Sequence, residues 1–180
     1  MDKSKEMRLF LAIALPQQLK EKLMAVKEGL NADGIKPVED KNLHVTLKFL
    51  GEVKFEKLAG LEKLLREIKF PKFMIKLHGV GVFPNSSYVR VVWVGCESEE
   101  LKKLGRSINE VLGSMFPKEE FTPHLTIARV RRKVDLREFL EKHKDEDFGG
   151  FECASFVLKS SILSKEGPDY ETVAEFEANE

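Results

Sequence analysis

The chain has 180 residues, 42% hydrophobic and 33% charged, with 30 Lys and Arg against 30 Asp and Glu. That is length enough for one sizeable core or two small fused lobes, and the mix excludes a disordered tail and a membrane-embedded protein. Zero net charge excludes a whole-surface attraction to nucleic acid or membrane, so any polyanion site must be a local pocket.

In chain order, the first element is the apolar run Leu9 to Leu15, which reads as a β-strand. With Lys3, Lys5 and Arg8 before it, the run superficially looks like a secretion signal. It is at the short limit for one, an amphipathic helix follows without a break, and the same strand-then-helix order returns later in the chain. Leu19, Leu23, Val26 and Leu30 give that helix its spacing. Next come a strand with His44, a helix with Leu58, Leu61, Leu64, Leu65 and Ile68, and an extended segment from Phe73 to Phe83. After the polar turn at Pro84-Asn85-Ser86-Ser87 the order restarts. Val89 to Gly95 is strand-like, Leu101, Leu104, Ile108, Val111, Leu112 and Met115 form a helical stripe, and His124 sits on another strand. A short helix with Leu136, Phe139 and Leu140 and an extended run from Phe151 to Leu163 follow. A turn at Lys165 to Asp169 and a strand near Thr172 to Phe176 close the chain. No stretch approaches a membrane span in length.

Cys96 and Cys153 are too few for a disulfide scaffold or a zinc site of usual spacing. Both lie in apolar stretches, so they are expected to be small buried hydrophobes in a reducing cytoplasm. Glutamine occurs only at Gln17 and Gln18 while Lys and Glu abound, a bias common in thermophile proteins that carries no chemistry.

The two halves repeat at the level of a motif. Pro37, Glu39, Asp40, His44, Val45, Thr46 and Leu47 recur at the same offsets as Pro117, Glu119, Glu120, His124, Leu125, Thr126 and Ile127, 80 positions on. Each half therefore reads strand–helix–strand–helix–strand with its histidine on the middle strand. The predicted fold is α+β: one bilobal domain over 1–180 with two pseudo-symmetric lobes, about 1–84 and 85–180, terminal strands open to exchange between them. Each lobe is expected to be an antiparallel sheet with helices packed outside, the motif strands facing a central cleft.

Strand alternation puts His44 and Thr46 on one face and Leu43, Val45, Leu47 and Phe49 on the core face. His124 and Thr126 share a face likewise. A histidine and a hydroxyl interrupting an apolar strand, twice, suit displacement at phosphorus. One imidazole takes a proton from the attacking oxygen, the other protonates the leaving oxygen, and the hydroxyls donate to non-bridging oxygens. Such a site needs no metal, and no carboxylate or cysteine stands at ligand spacing from either His-x-Thr pair. A single such pair is usually a satisfied polar contact, but its duplication favours function. His78 and His143 have no repeat partner and are expected to be solvated bystanders. Alternation puts Lys48 with His44 and Thr46 but sends Arg129 to the core side with Leu125 and Ile127, unless a bulge re-aims it. Phe83, Tyr88 and Trp93 could stack a base, although core packing is the prior for Trp93. Arg131-Arg132-Lys133 is either a contact for flanking RNA backbone or a solvated turn.

At these residues the chain resembles the two-histidine phosphoesterase superfamily, in its RNA 2′,3′-cyclic phosphodiesterase branch, also called 2′-5′ RNA ligase. The resemblance runs through Met7-Arg-Leu-Phe-Leu-Ala-Ile13, Asn42 to Gly51, Arg90 to Gly95, Thr122 to Arg129, and Gly167-Pro-Asp-Tyr170. It implies hydrolysis of 2′,3′-cyclic phosphate ends of RNA, or of cyclic nucleotides, to 2′-phosphates, with no cofactor. Joining tRNA halves through a 2′-5′ bond is the implied companion reaction. His44 and His124 are the implied catalytic pair, with His124 expected as base and His44 as acid. Thr46, Thr126 and either Arg129 or Lys48 are expected to bind phosphate, Arg129 ranking first by resemblance. A cytoplasmic monomer with no membrane association is expected. The alternative is a non-catalytic module that binds a nucleotide or RNA end in the same cleft.

Overall fold

The structure is a computed structural model that describes residues 6–165 and 167–179, and Lys3 and Lys5 lie outside the described residues. Its strands are β1 (Glu6–Ala14), β2 (Ile35–Pro37), β3 (His44–Lys54), β4 (Phe73–Asn85), β5 (Tyr88–Glu97), β6 (His124–Val130), β7 (Asp147–Cys153), β8 (Ser155–Leu163) and β9 (Pro168–Glu177). The α-helices are α1 (Gln17–Glu28), α2 (Leu58–Arg66), α3 (Glu99–Val111) and α4 (Arg137–His143). The extended run expected from Phe151 to Leu163 is two strands, broken at Ala154, because Cys153 pairs with Phe73 while Ser155 pairs with Glu177.

The fold is α+β. One antiparallel sheet runs β7-β4-β5-β6-β3-β1-β8-β9, with β2 pairing beside β6. The order is pseudo-symmetric about the β6/β3 junction, where Val45 and Leu125 are the registered pair. β4 comes from the first half of the chain but pairs with β5 and β7 of the second, while β8 of the second half pairs with β1 of the first. Pro84-Asn85-Ser86-Ser87 is thus the tip of the β4–β5 hairpin, not a boundary in space: Asn85 is registered with Tyr88.

β1 explains its apolar run by burial on both faces. Leu9, Leu11 and Ile13 enter the main core, and Phe10 and Ala12 join Val157 and Tyr170 in a small cluster on the opposite face. The helices cover the main-core side and also cross between halves, with α1 against β6 and β7 and α3 against β3 and β4. Leu23, Leu61, Leu65, Leu101 and Ile108 are fully covered there. Ser98 caps α3, its hydroxyl accepting from Leu101 N at 3.3 Å. Cys96 and Cys153 are buried, which pushes their thiols up to about 12 and about 11. Among the described residues no helix is long and apolar enough to cross a membrane.

Candidate active site

β3 and β6 begin on their histidines and share one pattern. His44 and Thr46 are half-buried between the buried Val45 and Leu47, and His124 and Thr126 stand likewise between Leu125 and Ile127. Each strand then bulges at the residue after its threonine. Ala12 pairs with Thr46 but Leu11 with Lys48, so Leu47 is the extra residue on β3. Trp93 pairs with Thr126 but Val92 with Ala128, so Ile127 is the extra residue on β6. An inserted residue reverses the alternation beyond it.

That reversal decides one open alternative and corrects two expectations. Arg129 is re-aimed by the bulge, exposed and lining the cleft, and does not enter the core. Phe49, expected in the core, is 62% exposed and lines the cleft at the equivalent position. Lys48 turns into the protein, 5% exposed, and donates to Asn109 Oδ1 at 2.8 Å and to the Pro117 carbonyl at 2.7 Å. It is no part of the cleft.

The cleft is a cavity of about 300 Å³ whose walls include His44, Thr46, His124, Thr126 and Arg129. His44 Nδ1 lies 2.6 Å from the Asn42 carbonyl and His124 Nδ1 lies 2.7 Å from the Thr122 carbonyl. A carbonyl only accepts, so each Nδ1 carries a proton, and the nitrogen left to take or give the reacting proton is Nε2. Two histidines with the same tautomer imposed by the residue two positions earlier, each with a threonine two positions later, thus border one cavity.

A family model described as LigT like Phosphoesterase matches residues 13–93. A Methanocaldococcus jannaschii relative described as RNA 2′,3′-cyclic phosphodiesterase is 44% identical over 175 residues, 94% of this chain and 100% of its own length. One of the same description from Archaeoglobus fulgidus is 43% identical, covering 95% of this chain and 100% of itself. The chain belongs to the LigT-like phosphoesterase family. A crystal structure of E. coli LigT complexed with 3′-AMP superposes with a TM-score of 0.83 at 26% identity, over 98% of this chain and 100% of that one.

In this LigT-like phosphoesterase the two histidines have different surroundings. Phe10 packs 5.0 Å and Tyr170 5.5 Å from His44, ring centre to ring centre. Burial among them, with further repulsion from Lys159 and Arg129, lowers the His44 pKa to about 4, against a weaker opposing effect from the Asn42 carbonyl. His124 meets the Phe83 ring edge-on at 5.1 Å, and Phe83 in turn packs on Trp93. Trp93 is not a core residue. It is half-buried on the cleft side of β5, where a Cβ at Gly81 would overlap its indole, and its buried Nε1 has no partner among the described residues. Tyr88 is exposed outside this cavity.

Of the bystanders, His78 is partly exposed and lies 3.3 Å from Glu97. His143 is buried, not solvated: its Nδ1 bonds Glu146 and its ring packs on Phe139 at 4.7 Å. Among the described residues no three His, Cys, Asp or Glu side chains gather as metal ligands.

Tyr170, Asn42, Lys27 and the structural role of Lys48 were outside the sequence expectations for the site. Asn42 donates to the Pro168 carbonyl at 3.0 Å and Lys41 pairs with Asp169 at 2.8 Å, seating the start of β9 over His44. Lys27, from α1, holds the Val38 carbonyl at 2.7 Å and pairs with Asp40. Lys27 and Lys48 are thus buried ammonium groups, each gripping the segment that leads into one motif histidine. The repeated acidic positions ahead of each histidine were the only signal for this in the sequence.

Proposed function

We propose that the protein is an RNA 2′,3′-cyclic phosphodiesterase, opening cyclic phosphate ends to 2′-phosphates with His44 and His124 as acid and base. The observation that carries this reading is the pair of tautomer-locked histidines bordering one cavity with a threonine beside each. The description of the two archaeal relatives supports the same substrate class. Water attacks phosphorus as the Nε2 of His124 takes its proton. The bond from phosphorus to the 3′ oxygen breaks as His44 gives that oxygen a proton. The Thr46 and Thr126 hydroxyls and the Arg129 guanidinium hold the non-bridging oxygens. A 5′ hydroxyl in place of water would complete the same displacement as a 2′-5′ bond.

At a pKa of about 4, His44 alone is neutral at pH 7 and is no acid. The substrate changes this. One negative charge about 4 Å away, at an effective permittivity of about 20, favours the imidazolium by about 4 kcal/mol, near three pKa units. Binding the phosphodiester anion therefore loads the acid. The test is incubation with a 2′,3′-cyclic nucleotide and assignment of the product by phosphorus NMR. A 2′-phosphate is expected; a 3′-phosphate, or no turnover, overturns the proposal.

A further inference from the structure

Beside the motif cavity lies a smaller hollow of about 70 Å³ whose lining includes Tyr88, Arg90, Arg131, Arg132 and Lys133. Arg131 lines both, so the two adjoin. In a chain of zero net charge, this corner gathers four cations. Asp33 pairs with Arg132, at 2.6 Å. Arg90 is already positioned: its guanidinium lies over the Tyr88 ring, 4.5 Å from the centroid, bonds the Tyr88 hydroxyl, and donates to the Arg131 carbonyl at 3.3 Å. A guanidinium held in this way loses little side-chain freedom when it binds an anion, and its remaining donors fit the spacing of phosphate oxygens.

We propose that this hollow is a second phosphate subsite, for the phosphodiester on the 5′ side of the terminal nucleotide of an RNA strand. The inference rests on reading the motif cavity as the seat of the cyclic phosphate. A strand ending in a 2′,3′-cyclic phosphate carries nothing beyond that group in the 3′ direction. In hydrolysis, with water as the attacking group, the phosphodiesters that cations adjoining the cavity can meet are therefore the upstream ones. A cyclic mononucleotide has none, so the subsite selects strand ends over free nucleotides. Arg129 lines the cavity and Arg131, two residues on, lines both hollows, which sets cations at successive points along the backbone of a bound strand.

The test compares kcat/KM for a five-nucleotide RNA ending in a 2′,3′-cyclic phosphate with that for a 2′,3′-cyclic mononucleotide. At low salt the strand is expected to win by about tenfold or more. Its advantage should fall as salt rises, with a log–log slope of about 0.7 for each phosphate contacted. Replacing both Arg90→Gln and Lys133→Gln is expected to bring the ratio close to one. Arg106→Gln, an exposed charge on α3 that lines neither hollow, should leave the ratio where it was. Equal use of both substrates by the native protein, or a ratio that ignores the double variant, overturns the subsite alone. If neither substrate is opened, the reading of the motif cavity falls and takes the subsite with it.

Discussion

His44 is where residue-scale chemistry and stability meet. His44→Ala and His124→Ala are each expected to slow cyclic phosphate hydrolysis by about 10²–10⁴-fold, the usual contribution of a general acid or base. The two should separate on a nitrophenyl phosphodiester, whose leaving group needs no proton. There His44→Ala should recover most of its loss and His124→Ala little, and the opposite pattern would exchange the roles. Thr46→Val and Thr126→Val should each cost up to about 2–4 kcal/mol in the kcat barrier. The depressed pKa of His44 also makes a prediction about folding. Its value of about 4 lies below the ordinary 6.5, so between these pH values the unfolded chain binds a proton that the folded chain refuses. The stability that follows is fully present above about pH 6.5 and is lost as pH falls towards 4. The loss from this one group is on the order of 3 kcal/mol. Urea unfolding across pH 4–7 should show the native protein losing stability relative to His44→Gln as pH falls, by about that amount. Parallel curves would show that His44 is not desolvated in the fold.

At the scale of elements, the two bulges and the two buried lysines form one arrangement. The bulge after Thr46 turns Lys48 inward, and its ammonium then ties β3 to Asn109 on α3 and to the Pro117 carbonyl. The 117–123 segment so held carries the Thr122 carbonyl that sets the His124 tautomer. Lys27 does the equivalent for the segment leading to Asn42 and His44. Lys48→Met removes a charged hydrogen-bond donor from buried acceptors, and about 1.5–3 kcal/mol of stability should go with it. Its kcat should fall as well, because the segment that orients His124 loosens. Thermal unfolding and steady-state kinetics on the same sample check both expectations, and an unchanged midpoint would show that the ammonium holds nothing. Helical spacing found the helices, and apolar runs and period-two alternation found the strands and the facing of His44, Thr46, His124 and Thr126. It could not place Lys48, Phe49 or Arg129, because an inserted residue leaves no mark in the hydrophobic pattern: Leu47 and Ile127 look like any other core residue.

For the whole molecule, a neutral chain means that the charge on phosphorus is met locally. The two hydroxyls, Arg129 and the imidazolium are the groups available, so activity is expected to persist in excess EDTA. A loss that zinc or magnesium reverses would refute the metal-free mechanism. Cys96→Ser with Cys153→Ser should stay active, since both thiols lie among core side chains away from the cavity. The sequence by itself determined that the chain is a duplication, that its class is α+β, and which four residues make the paired motif. These follow from local periodicity and from residues repeated at a fixed offset, which folding does not alter. Only the tertiary structure decided that β4 and β8 change places between the halves, that the two motif strands meet at Val45 and Leu125, and that Tyr170 closes over His44. It also decided that two histidines alike in sequence differ in environment. Strand exchange, close packing and desolvation arise between residues far apart in the chain, and neighbouring residues hold no record of them.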